Sequence, residues 1–212
     1  MIVNERMTTF VDSFNPEKPD YLEALEREAL ETNVPIIRPQ MQSFMKTLLT
    51  MSRPKRILEV GCAIGFSALW MRECSEAEIT TIEKYEKRIP IAKANFEKYD
   101  PDHRITLLEG DALEILPTLE GPYDLIFMDA AKGQYLNFLP EILRLLAPGG
   151  ILLSDNVLQD GDIIESRFAI TRRDRTIHSR MREYLYTLTH HEDLQTSILT
   201  VADGATISIK RF

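Results

Sequence analysis

Cysteine is nearly absent: Cys62 and Cys74 are the only two in 212 residues, and their spacing suits no metal site. That scarcity argues against a disulfide-stapled secreted domain and points to reduced thiols in the cytoplasm. Long apolar runs are also missing. None approaches the ~20 residues needed to cross a bilayer, so no membrane span is expected. The opening stretch, MIVNERMTTFVDSFNPEKPD, holds acidic side chains and no unbroken apolar core, unlike a secretory signal. Positive charge is in deficit, with 25 Lys and Arg against 33 Asp and Glu. The resulting −8 argues against binding nucleic acid through the whole surface, while leaving room for a local basic patch. Internal repeats, low-complexity segments and linker-like stretches are lacking too. The length therefore suits one domain over 1–212, with 1–34 as a helical N-terminal segment serving as a lid or a dimer contact.

What is present is a rhythm of helices and strands. Residues 17–31 carry leucines and alanines at helical spacing in a charged background, predicting an amphipathic helix. VPIIRP (34–39) holds prolines at both ends and predicts an extended connection, followed by a helix over 40–51. RILEV (56–60) is a short, nearly all-apolar run closed by Gly61, as expected of a buried parallel strand. Helical spacing follows over 66–74, then a strand over 78–83, a helix over 85–99, and strands over 104–110, 123–129 and 150–155. The stretch 134–147 reads as a helix that stops at Pro148-Gly149-Gly150. Such alternation predicts a parallel α/β sheet with helices on both faces. A charged helix over about 171–190 then leads to LQTSILTV (194–201), the turn Ala202-Asp203-Gly204 and ATISIKRF. Asp-Gly between two alternating runs predicts an antiparallel hairpin at the end of the sheet.

Ligands of open α/β sheets bind beyond the carboxyl ends of the strands. The first strand end carries Gly61 and Gly65, which permit a tight turn and a close approach of backbone to ligand, and the helix that follows favours a carboxylate at its N-terminus. The spacing is G-x-x-x-G, without the third glycine of a dinucleotide fingerprint, so tight strand–helix packing explains the pair equally well. The second strand ends at Glu83, whose carboxylate can accept hydrogen bonds from ribose hydroxyls. The third ends in Gly110-Asp111-Ala112, where Asp111 could meet an adenine amino group or simply cap a helix. The fourth ends at Asp129. Each alone has a structural explanation; four in order at successive strand ends are harder to assign to packing.

Glu-Val-Gly-x-x-x-Gly from Glu59, Glu83, Gly-Asp-Ala from Gly110 and the terminal hairpin together resemble the class I S-adenosylmethionine methyltransferases over roughly residues 35–212. The resemblance implies a doubly wound, Rossmann-like α/β fold with a mostly parallel seven-stranded sheet and a C-terminal antiparallel hairpin. It also implies that Glu59 and Gly61 lie by the methionine end of S-adenosyl-L-methionine, Ser67 near its carboxylate, Glu83 on the ribose, and Asp111 and Ala112 on the adenine. Val34, by its position in the entry segment, would add a backbone contact, and Asp129 would stand close to the same cofactor.

Asp129, Asp155 and Asn156 end adjacent strands of the expected sheet, so three hard oxygen donors converge. Such a set suits Mg²⁺ or another divalent cation that keeps its remaining positions for water and substrate. The bland alternative is that Asp155 and Asn156 cap a turn. Lys132 stands three residues past Asp129 and could act as general base, because an ammonium beside a divalent cation is destabilised by like charge. The D-x-x-K plus D-N pattern is similar to the metal-dependent catechol and caffeoyl-coenzyme A type O-methyltransferases. Ala131 stands where members of that family often have a second aspartate before the lysine, leaving three protein ligands.

Within that family VPIIRP, DAAKGQY (129–135) and SDNVLQDGDIIES (154–166) resemble the bacterial enzymes that methylate 5-hydroxyuridine at the tRNA wobble position. Arg167, Arg172, Arg173, Arg175, Arg180 and Arg182 form a basic cluster with Asp174 the only acid among them. Arg172 and Arg173, with Arg38 from the entry segment, are candidates to hold a substrate, and the cluster could grip a tRNA anticodon loop. The alternatives are a solvated helix face or a dimer contact for the arginines, and a small catechol-like acceptor under an apolar lid built from the first thirty residues. The resemblance implies a homodimer. A nicotinamide oxidoreductase is disfavoured by the missing third glycine, and a non-catalytic binding module by Lys132 beside the acid–amide set.

Overall fold

The computed structural model describes residues 4–212, apart from the side chain of Asp160; the first three residues of the expected N-terminal segment lie outside the described residues. Three helices come first: α1 (Glu5–Asp12), α2 (Asp20–Glu31) and α3 (Pro39–Ser52). Then β1 (Arg56–Val60), α4 (Phe66–Cys74), β2 (Glu78–Glu83), α5 (Ile89–Tyr99), β3 (Ile105–Glu109) and a single-turn α6 (Ala112–Ile115) alternate. They are followed by β4 (Tyr123–Met128), α7 (Tyr135–Leu145), β5 (Leu146–Ser154), α8 (Arg175–His190), β6 (Leu194–Leu199) and β7 (Ala205–Lys210). Among the described residues no helix is long and apolar enough to cross a membrane.

The sheet has seven strands in the order β3-β2-β1-β4-β5-β7-β6. Neighbours among β1 to β5 run parallel, whereas β7 is antiparallel to both β5 and β6. The central strands are apolar at consecutive positions because both faces are covered. Ile57, Leu125 and Leu153 point into a core shared with α2, α3 and α4, while their neighbours Leu58, Ile126 and Leu152 point into a second core with α7 and α8. That is the period-two alternation of a strand, read from two buried sides at once. Full burial of each such side chain contributes about 1.5–3 kcal/mol relative to exposure. The Trp70 indole N–H donates to the Gln42 carbonyl at 3.0 Å, tying α4 to α3.

Three boundaries depart from the sequence-based expectation. Strand β5 begins at Leu146, so Pro148-Gly149-Gly150 lies inside it; its register against β4 shifts between Tyr123 and Leu125, which accommodates a proline with no N–H to give. Helix α5 begins at Ile89 rather than 85, with Pro90 in its first turn, where the missing N–H costs nothing. Helix α8 begins at Arg175, after a run of turns over 162–174, and the helical segment expected over 1–34 holds a separate α1 at Glu5–Asp12.

Candidate active site

The strand order reverses between β1 and β4, and a crevice opens beyond the carboxyl ends of the strands there. It holds a cavity of about 670 Å³, within the usual range for cofactor sites. At its centre β1 and β4 nearly touch. Gly61 has φ +94°, and a Cβ on it would collide with the Asp129 carbonyl oxygen. Gly65, with φ +87°, caps α4, and a Cβ there would strike the ring of Phe96. The glycine pair therefore serves packing as well as ligand approach.

Glu83 organises this loop. Its carboxylate accepts the amides of Ala63 at 2.7 Å, Lys84 at 2.9 Å and Tyr85 at 2.7 Å. A carboxylate offers about four acceptor sites, so room remains for a ribose hydroxyl. Asp111 does cap α6, accepting the Leu113 amide at 2.9 Å, and it also pairs with Lys84 at 3.2 Å across the cavity rim. The Leu113 amide and then Lys84 hold its carboxyl below the usual range. Val34, Ser67, Glu83, Asp111 and Ala112 all line the cavity. Their row of acceptors, with the open α4 N-terminus and the close backbone at Gly61, fits an adenosine-bearing amino acid such as S-adenosylmethionine.

Glu59 is fully buried and lies behind the cavity wall rather than on it. The Thr81 hydroxyl donates to its Oε2 at 2.5 Å, and its Oε1 accepts no hydrogen bond. Burial pushes its carboxyl up from 4.5 to about 8, against the opposing Ser67 and Thr81 hydroxyls and with help from the Asp129 and Glu83 charges. A carboxyl raised in the folded state contributes stability that is present below its unfolded value and is lost as pH rises through its folded value. Glu59→Gln is therefore expected to flatten the fall in melting temperature between pH 5 and pH 8. At pH 8 the variant should gain on the order of 5 °C over wild type. Parallel melting curves for the two proteins across that range would refute a strained Glu59.

The second half of the site is acidic. Asp129 opens onto the cavity at the end of β4, and Asp155 is buried at the end of β5. Enclosure pushes the Asp129 carboxyl up, opposed by Lys132 and Asn156; burial and then the Asp129 charge push Asp155 up to about 8. Asn156, held at φ +59°, donates its amide nitrogen to Asp129 Oδ1 at 3.2 Å. Two carboxylates opposing one another's ionisation, with an amide between them, form a donor set that a divalent cation would relieve. A ligating Asn156 would turn its amide oxygen to the cation. Among the described residues no group of three His, Cys, Asp or Glu is placed to hold a metal, so the corner offers two carboxylates and one amide. Lys132, on the turn after β4, lines the same corner.

Two supports of this corner escaped the sequence reading. The buried Tyr135 hydroxyl lies 3.1 Å from both the Met128 and the Asp155 carbonyl oxygens, clamping the ends of β4 and β5 at the spacing that sets Asp129 against Asp155. Asp203, in the β6–β7 turn, reaches the cavity and pairs with Arg38 at 2.7 Å. The arginine cluster divides. Arg175, Arg180 and Arg182 donate to the carbonyls of Ile170, Gly133 and Ile163, which fastens α8 to its preceding segment and to the Lys132 turn. Arg167, Arg172 and Arg173 are exposed and do not reach the cavity wall. Among the described residues of the first thirty, only Leu30 lines the cavity.

Residues 12–211 match the O-methyltransferase family. A catechol O-methyltransferase of Niastella koreensis is 29% identical over 169 residues, spanning 76% of each chain. A Staphylococcus aureus protein provisionally named a caffeoyl-CoA O-methyltransferase superposes with a TM-score of 0.90 at 31% identity, covering 98% of this chain and 100% of its own. A Podospora anserina methyltransferase crystallised with S-adenosylhomocysteine superposes with a TM-score of 0.87 at 31% identity, covering 99% and 97%.

Proposed function

Since the chain belongs to the O-methyltransferase family, we propose that it moves the methyl group of S-adenosylmethionine onto one of two neighbouring oxygens of a small catechol-like or caffeoyl-CoA-like acceptor. The observation that carries this reading is the juxtaposition of Asp129, Asp155 and Asn156 with Lys132 in the wall of a cavity also lined by Glu83, Asp111 and Ser67. When bound, S-adenosylmethionine supplies an electrophilic methyl carbon on a cationic sulfur, and a divalent cation such as Mg²⁺ supplies Lewis acidity toward the acceptor oxygens. The protein does the rest by placement. Glu83 and Asp111 would hold the nucleoside end, the α4 N-terminus at Ser67 would receive the carboxylate, and Asp129, Asp155 and Asn156 would hold the cation. Lys132 would take the proton of the acceptor hydroxyl, with the methyl group passing from sulfur to that oxygen and S-adenosylhomocysteine as the other product. Alignment of oxygen, carbon and sulfur in this enclosed corner supplies much of the rate. The names of the Niastella and Staphylococcus relatives favour the small acceptor.

A second acceptor has one observation in its favour. Arg167, Arg172 and Arg173 are exposed on the segment that leaves the site directly after Asn156, in a chain otherwise rich in acid. They could hold phosphates of an anticodon loop while a 5-hydroxyuridine presents its hydroxyl and neighbouring carbonyl, as a catechol presents two hydroxyls. The test is transfer of labelled methyl with Mg²⁺, with and without chelator, to 3,4-dihydroxybenzoate and to tRNA containing hydroxyuridine. Chelator-sensitive labelling of the small molecule supports the first reading. Labelling of tRNA alone replaces it with the second, and labelling of neither, with active cofactor, removes both.

A further inference from the structure

Lys132 is placed by a turn rather than by a strand or a long helix. The chain leaves the end of β4 at Asp129, runs along the cavity wall and enters α7, with Lys132–Gln134 wound as one tight turn. No side chain caps that turn. Its own bonds are those of the Gln134 amide to the Ala131 carbonyl at 2.8 Å and of the Tyr135 amide to the Lys132 carbonyl. A long side chain keeps its ammonium in one place only if the backbone beneath it is fixed.

Helix α8 supplies a hold from outside. Its Tyr184 is fully buried, shares a hydrogen bond of 2.7 Å with the Ser154 hydroxyl on β5, and meets the Tyr135 ring edge-on with centroids 5.3 Å apart. Met181 is fully buried as well, so this face of α8 is seated firmly against the sheet. Arg180 stands one turn before Tyr184 on the same face. Its Nη1 donates to the Gly133 carbonyl, and a Cβ on Gly133 would lie 3.8 Å from that nitrogen. A charged donor makes a stronger bond to a carbonyl than a neutral one does. Arg180 is exposed, so the bond adds little to the stability of the domain. What it fixes is the place of the neighbouring residue, Lys132.

We propose that Arg180 is a positioning residue, which holds the turn that carries Lys132 through the Gly133 carbonyl. Arg180 does not line the cavity, so it acts on the turn and not on the acceptor. The inference rests on the place given to Lys132 in the proposed function, and holds whether Lys132 works as a base or by its charge.

A double-mutant cycle tests it, with 3,4-dihydroxybenzoate or hydroxyuridine-containing tRNA as acceptor, whichever is methylated. Arg180→Met should lower kcat on the order of tenfold, with KM and S-adenosylhomocysteine binding within about twofold of wild type. In a Lys132→Ala background the same change should cost less than about twofold, because the residue it positions is gone. Arg180→Lys, which keeps a charged donor, should recover part of the rate. Arg182→Met is the control. Arg182 bonds the Ile163 carbonyl, away from the turn, so any loss it causes should be as large with Lys132→Ala as without. Hydrogen exchange of the full chain gives a second readout that needs no acceptor: Arg180→Met should speed exchange of the Gln134 and Tyr135 amides at least about fivefold. An Arg180→Met loss of equal size in both backgrounds overturns the inference, as does unchanged exchange at those two amides. A Lys132→Ala variant as fast as wild type would instead strike the role given to Lys132, and the inference with it. That outcome is distinct from a slow Lys132→Ala in which the Arg180→Met loss persists.

Discussion

Replacing Asp129 by alanine is expected to lower methyl transfer on the order of 10²–10³-fold at saturating acceptor. The backbone at this position has its own reasons to stay put. The Asp129 amide donates to the Val60 carbonyl at 3.1 Å, and its carbonyl packs against Gly61. The variant therefore keeps the junction of β1 and β4 and loses mainly the carboxylate. With it goes the partner of the Asn156 amide and one of the two charges that make the corner suit a divalent cation. Residual activity should need more Mg²⁺, whereas S-adenosylhomocysteine binding measured without metal should weaken no more than about tenfold. A variant that turns over like wild type at the same Mg²⁺ would show that the cation, or the chemistry, sits elsewhere.

Lys132→Ala is expected to cost roughly 10²-fold in kcat with little change in cofactor affinity. A general base must be able to give up its proton, and an arginine in a protein cannot. Lys132→Arg is thus the informative companion. If the side chain acts by charge alone, arginine should work nearly as well as lysine; if it accepts the acceptor's proton, arginine should be as slow as alanine. Small primary amines added to Lys132→Ala should recover part of the rate in the base reading and none in the charge reading.

The chemistry-bearing strand ends were legible because parallel strands buried on both sides leave a plain signature. RILEV and YDLIFM are largely apolar runs and EITTIE is a β-branched one, and they stop at Gly61, Asp129 and Glu83. Right-handed crossovers then leave few possible orders for them in space. What stayed hidden depends on contacts between distant segments. Asp203-Gly204 announces a hairpin turn, but nothing local says that the turn arrives beside Asp155, since that follows from β7 running against β5. Tyr135 looks like one more apolar residue of α7 until its hydroxyl is seen between two strand carbonyls. The arginines of 167–182 read as one basic patch, and only the fold singles out Arg175, Arg180 and Arg182 as bonding backbone carbonyls. Pro148-Gly149-Gly150 read as a stop because a strand seldom tolerates it; the shifted register of β5 is what makes it tolerable.

The antiparallel hairpin has a consequence in time as well as in space. Domains are synthesised from the N-terminus, and β6 and β7 are the last strands of this one to be made. Before β7 takes its place, the amides of Val157 and Leu158 lack the Gly204 and Asp203 carbonyls that receive them, and Arg38 lacks Asp203. A growing chain that has completed β1 to β5 already carries the strand ends at Gly61, Glu83 and Asp111, but not the β6–β7 turn that brings Asp203 to the cavity.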